Sequence, residues 1–142
     1  MLSIENFKMK QQLALLALLV RDYDEAIEYY THQLHFTLKE DTLLSPEKRW
    51  VVISPPGSVG ASLLLAKAST EEQKNQIGNQ AGGRVFLFLH TDDIERDYQN
   101  LLKNNIEIVR EKTSELWGTV LVFKDMYGNL WDLIEPIMKS EY

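Results

Sequence analysis

The 142-residue chain contains no cysteine. That excludes disulfides, thiolate zinc sites and cysteine nucleophiles, and leaves histidines, carboxylates and hydroxyls to carry any chemistry. Histidine is itself scarce: there are three, His32, His35 and His90. A basic excess is also missing. With 15 Lys and Arg against 21 Asp and Glu, the net charge of −6 has the wrong sign for gripping nucleic-acid phosphate or an anionic membrane. The longest apolar run, Leu13 to Val20 (LALLALLV), is far short of the roughly 20 residues that span a bilayer. The residues before it, ENFKMKQQ, lack a signal-peptide layout, so a cytoplasmic protein with neither nucleic-acid nor membrane partner is expected. The glycine-containing stretch SPPGSVG (54–60) lacks the Lys-Ser/Thr of a phosphate loop, and no G-x-S-x-G elbow is present.

What is present is a 44% hydrophobic chain, enough for one compact core, with a pattern that repeats. The apolar run to Val20 meets charged RDYDE, after which Tyr23, Ile27, Tyr30 and Leu34 recur at helical spacing. Asp22 is placed to cap that helix, with Asp24 and Glu25 at its positive end. Three β-prone runs follow: FTLKED, RWVVISPP and ASLLLAKA. A polar, glycine-containing stretch, 69–82, predicts a linker or mobile loop. The order then recurs: RVFLFLHT as a strand, DDIERDYQNLLKNN as a helix with Ile94, Tyr98, Leu101 and Leu102 on one face, and IEIVRE, GTVLVFKD and NLWDLIEP as strands. Asp93 matches Asp22 as a helix cap. His35 and Asn105 match as residues just past a helix end, where a left-handed backbone is expected; Gly128 or Asn129 fills that role in the last hairpin. The predicted organisation is one domain built of module one (about 11–68), a linker (69–82) and module two (about 83–137).

Two stretches resemble a known family. LLVRDYDEAIEYYTHQLHF is similar to the opening of modules in the vicinal oxygen chelate superfamily, which includes glyoxalase I, bleomycin resistance proteins and extradiol dioxygenases. FKDMYGNLWDLIEP resembles that superfamily's closing F-x-D-P-x-G-N-x-x-E-L strand. The resemblance implies an α+β fold in which two βαβββ modules curl into a half-open mixed β-barrel, helices outside and a cavity inside. It also implies a homodimer and, in metal-dependent members, ligands from the first and last strands of each module.

Those ligand positions carry little that binds metal. The first-strand position, seven residues before the helix-opening aspartate, is Leu15 in module one and Phe86 in module two. The closing-strand position in module one is aliphatic, near Leu64 or Leu65; in module two it is Asp132, where the family has Glu. One carboxylate does not satisfy a divalent ion that wants several ligands, so no metal site and no cofactor are expected, unless the ligand positions are displaced along the strands.

His90 shares a predicted strand face with Arg84, Phe86 and Phe88, and a His90–Asp132 pair on adjoining strands is the candidate catalytic or binding couple. The plainer role for His90 is a strand-end residue that hydrogen-bonds the turn. The expected ligand-binding set is Leu15, Trp50, Arg84, Phe86, Phe88, His90 and Asp132. Arg84 and Arg49 are the cations suited to clamp a carboxylate, although surface roles are the simpler expectation for both. Two functions remain open: a bleomycin-resistance-like protein that binds a small organic molecule without a complete metal site, or a lyase or dioxygenase-like enzyme using an unrecognised metal site or a metal-free His90/Asp132 mechanism.

Overall fold

The computed structural model describes residues 8–137. Module one runs β1 (Leu15–Val20), α1 (Tyr23–Glu28), a π-helical turn (Tyr29–Gln33), β2 (Thr37–Ser45), β3 (Lys48–Ser54) and β4 (Ser62–Lys67). After α2 (Glu71–Gln76), module two runs β5 (Val85–His90), α3 (Ile94–Lys103), β6 (Ile108–Glu115), β7 (Gly118–Lys124) and β8 (Leu130–Pro136). Each module makes one four-stranded mixed sheet, ordered β1-β4-β3-β2 and β5-β8-β7-β6. The first and last strands of each module pair in parallel and the remaining pairs are antiparallel. The two sheets stay separate, the unclosed arrangement of a half-open barrel.

The helix starts follow from the capping aspartates. Asp22 Oδ2 accepts from Glu25 N at 2.8 Å and Asp93 Oδ1 accepts from Arg96 N at 3.1 Å, satisfying amides that the first turn leaves unpaired. His35 and Asn105 take φ of 62° and 55°, and Gly128 takes 103°, so each helix exit and the last hairpin use the expected residues. The first helix departs from its simple period. Beyond Glu28 it widens into a π turn, which lets two consecutive residues, Tyr29 and Tyr30, both bury. On α3, Ile94 and Leu101 are buried while Leu102 points to solvent, so the apolar stripe is narrower than its sequence suggests.

A single core cluster draws on both modules. It joins Leu18, Val20, Ile53 and Leu65 of the first sheet to Leu121, Phe123, Trp131 and Leu133 of the second, through Tyr30 and Phe36. The Trp131 ring is stacked on Phe123 and meets Phe36 edge-on, at 5.7 and 5.8 Å between centroids. Strand alternation therefore gives each sheet one face committed to this core and one open face.

The polar centre of the junction is Asp125, 4% exposed, in the turn before β8. Its carboxylate accepts from Tyr30 Oη (2.6 Å), Trp131 Nε1 (3.0 Å), the Asn129 side chain and backbone (3.0 Å) and Tyr127 N (3.0 Å). A buried carboxylate is tolerable when its oxygens are saturated in this way.

The segment 69–82 is structured. Thr70 caps α2, with Gln73 N donating to its hydroxyl at 3.1 Å. Gln80 then docks on the free edge of β1: Leu19 N donates to its Oε1 (2.8 Å) and its Nε2 donates to Ala17 O (3.1 Å). The side-chain amide thus occupies peptide groups that an edge strand otherwise leaves open. Gly78, at φ 76°, lies so close to the last hairpin that a Cβ there would sit 1.8 Å from Tyr127 O. The expected mobile loop is therefore pinned through Gly78 and Gln80, a consequence of long-range contacts invisible in its polar composition.

Asp125→Ala should cost about 3–5 kcal/mol in urea denaturation, because it strands four buried donors, Tyr30 Oη, Asn129 N, Asn129 Nδ2 and Trp131 Nε1, whereas Tyr30→Phe should cost about 1–3 kcal/mol. Burial, then the neighbouring Asp125 charge, holds the Tyr30 phenol well above its ordinary pKa; burial also pushes Tyr127 up to about 12. The unfolded chain ionises these tyrosines first as pH rises, so the folded chain holds more protons and stability is lost above about pH 10. Denaturation midpoints at pH 8 to 11 should fall accordingly, less steeply in Tyr30→Phe; a flat profile in the parent chain would contradict this.

Candidate functional site

The open face of the second sheet collects most of the expected site residues. In the parallel register Phe88 stands opposite Asp132 and His90 opposite Ile134, while Leu87 and Leu89 turn into the core opposite Trp131 and Leu133. Phe88 is 65% exposed, large for an aromatic ring, which identifies this face as uncovered in the single chain. Phe86 does not follow the simple alternation. A register shift between Val85 and Leu87 leaves it in a bulge, where it touches the margin of the core and also lines a cavity.

That cavity, about 300 Å³, lies where the open face meets the docked linker. Phe86, Leu130 and Val109 supply apolar surface, Asn79 and Ala81 come from the linker, and Arg84 and Lys124 supply cations. Arg84 and Phe86, two of the residues singled out in the sequence, thus line the same cavity. Asp132, Phe88 and His90 continue along the same sheet face, outside the cavity lining. Leu15 and Trp50 belong to the first sheet, and every residue lining the cavity comes from the linker or module two. A second depression, about 430 Å³, lies among Arg21, Lys74, Ile77 and Tyr127.

The His90–Asp132 couple is not formed. No hydrogen bond or ion pair joins them, because His90 sits one side-chain row farther along β5 than the residue facing Asp132. The charge that acts on Asp132 is Arg110, which sequence reasoning missed. Asp132, Val122 and Arg110 occupy one row across β8, β7 and β6. Burial raises the Asp132 carboxyl pKa and Arg110 partly offsets the rise. A basic residue on a solvent-facing edge strand gives no sequence signal of this role; only the register does.

The other candidates resolve into structural duties. Arg49 is held between Asp41 (2.7 Å) and Asp24 (2.9 Å), with its guanidinium 5.1 Å from the Tyr23 ring centre, so it is spent on the first module. Asp92 pairs with Arg96 at 2.9 Å and Asp93 caps α3, which leaves neither for a ligand.

The sequence model of the Glyoxalase/Bleomycin resistance protein/Dioxygenase superfamily matches residues 12–133 of this chain. The chain belongs to that superfamily. An uncharacterized protein of Shewanella frigidimarina (strain NCIMB 400) is 58% identical over 128 residues, covering 89% of this chain and 95% of its own length. Among solved structures, UcmS2 is 25% identical with a TM-score of 0.77, covering 89% of this chain and 99% of its own. A glyoxalase/bleomycin resistance protein from Streptomyces sp. CB03234 is 25% identical with a TM-score of 0.70, covering 86% and 98%.

The register tests whether a superfamily metal would fit here. Leu64 pairs with Ala17 on the open face of the first sheet, whereas Leu65 is buried in the core, so the aliphatic residue at the closing-strand position is Leu64. Leu15 and Leu64 are then related as Phe86 and Asp132 are in the second sheet. Three of these four side chains end in carbon, and the fourth is one carboxylate. The donor set does not fit a divalent ion. Among the described residues no three His, Asp or Glu side chains converge.

Carboxyl-detected NMR titration should place Asp132 above the ordinary aspartate range, and Arg110→Gln should move it farther up. A raised carboxyl in the folded chain binds protons that the unfolded chain has released, so its contribution to stability fades as pH rises toward neutrality. Asp132→Asn should therefore not lower the melting temperature at pH 7, in contrast to substitution of Asp125.

Proposed function

We propose that this superfamily member binds a small organic molecule on the open face of its module-two sheet, in the cytoplasm and without a resident metal ion or other cofactor. The observation that carries the proposal is the replacement of ligand donors by carbon at Leu15, Leu64 and Phe86, on faces that also present Phe88 and Leu130. Such a surface has little to offer a Lewis acid and much to offer a flat or apolar ligand. The lack of a hydrogen bond between His90 and Asp132 favours binding over a metal-free proton transfer by that pair.

We further propose that the binding unit is a homodimer. Leu15 and Trp50 stand on one open sheet and Phe86, Phe88 and Asp132 on the other, while the single chain places no module-one residue in the cavity. A second copy would bring an open module-one face against an open module-two face and cover Phe88. That arrangement buries apolar surface left in water by the lone chain.

Thermal-shift screening with uncharged and charged aromatic compounds tests the binding reading. A compound at a hundredfold excess over its Kd stabilises the native state by about 2.7 kcal/mol, a melting shift of several degrees. Phe88→Ala should shrink that shift and, because the second copy covers Phe88, should also lower the ligand-free melting temperature. Failure of every compound to stabilise the protein would overturn the reading. Light scattering on a sizing column should give twice the chain mass, and elemental analysis of protein purified without chelator should give far less than one metal per chain; a stoichiometric metal would reverse the assignment.

A further inference from the structure

The cavity beside Phe86 has a charge opposite to that of the chain as a whole. The protein carries six more acidic than basic residues, yet the cavity is lined by two cations, Arg84 and Lys124, and by no carboxylate. Three of the other four arginines are neutralised at close range, Arg21 by Glu25, Arg49 by Asp41 and Asp24, and Arg96 by Asp92 and Asp97, while Arg110 acts on Asp132 from two strands away. Arg84 has no ion-pair partner among the described residues, and the only acidic partner of Lys124 is Glu107 at 3.8 Å, with both side chains well exposed. A pair so long and so wet holds its lysine weakly. Next to these cations, Asn129 is 1% exposed and its Oδ1 has no hydrogen-bond donor among the described residues.

We infer that this cavity receives an organic oxyanion: a molecule whose carboxylate or phosphate lies between Arg84 and Lys124 and whose apolar body covers Phe86 and Leu130. The inference rests on the binding function proposed above and specifies its ligand class. The guanidinium of Arg84 presents a planar fork that matches either oxyanion, and Lys124, at the end of β7, adds a point charge to the same lining. Asp132, two residues beyond Leu130 on the same face, repels a second anionic group and so fixes polarity: the charged end lies toward the linker and the neutral end toward Phe88. A ligand hydroxyl reaching Asn129 Oδ1 would satisfy a buried acceptor that now lacks a donor. A cavity of about 300 Å³ suits one or two fused rings.

The test uses 2-naphthoate, 2-naphthyl phosphate and neutral 2-naphthamide as probes of the full-length protein, with affinities taken from amide chemical-shift titrations. The anionic probe should bind about five- to tenfold tighter than the amide, and the tighter of the two anions identifies the headgroup. Arg84→Gln and Lys124→Gln should each erase most of that preference while leaving naphthamide affinity unchanged, and Glu107→Gln, which frees Lys124, should enlarge it. The preference should also shrink as salt rises. Affinity for naphthamide that equals or exceeds that for both anions, or a preference that survives in the Arg84→Gln/Lys124→Gln double variant, overturns the oxyanion inference and leaves the binding function standing. Lack of binding by all three probes at millimolar concentration overturns the inference as well, and the broader compound screen then decides the binding function separately.

Discussion

The buried carboxylate of Asp125 is the interaction on which the rest of the molecule depends. It takes donors from the π-helical turn of module one through Tyr30 and from the closing hairpin of module two through Tyr127, Asn129 and Trp131. A carboxylate buried in this way is stable only while those donors are in place, so the cluster is effectively all-or-none. Its saturation holds the two modules together and fixes the hairpin from which β8 departs. The parity of β8 then follows: Trp131 and Leu133 turn inward, Leu130 and Asp132 outward. Two aspartates in one short stretch thus have opposite duties. Asp125 is structural because it is saturated by donors, whereas Asp132 is half-buried on the open face and only distantly compensated by Arg110.

Much of this was legible in the sequence because it rests on local rules. Capping by Asp22 and Asp93, positive φ at His35, Asn105 and Gly128, and the alternation that separates Phe88 from Leu89 depend on near neighbours in the chain. The repeat of those signals disclosed two modules, and the family resemblance supplied their arrangement. Features set by contacts distant in sequence stayed hidden. The π turn exists because both Tyr29 and Tyr30 find buried positions, which no helical period announces. Likewise Gln80 docks on β1 and Gly78 on the last hairpin, although 69–82 is polar enough to read as a tether.

The site itself was half legible for the same reason. Arg84 and Phe86 come together because they are nearly adjacent and the linker folds over them. The His90–Asp132 couple failed because it required knowing the parallel register of β5 against β8, and that register gives Asp132 to Phe88 instead. Arg110 escaped notice because its influence crosses Val122 from a third strand. The resulting face is apolar at its centre, cationic at the linker end and mildly acidic at Asp132. That distribution is suited to orienting one small molecule and poorly suited to gathering the several donors a metal demands.

A crystal structure of the protein with a compound that raises its melting temperature tests the central claim most directly. The account predicts the compound on the open face of the module-two sheet, against Phe86, Phe88 and Leu130, with its charged end toward Arg84. A compound seated elsewhere, or a metal ion held at Asp132 by ligands from this face, would contradict it.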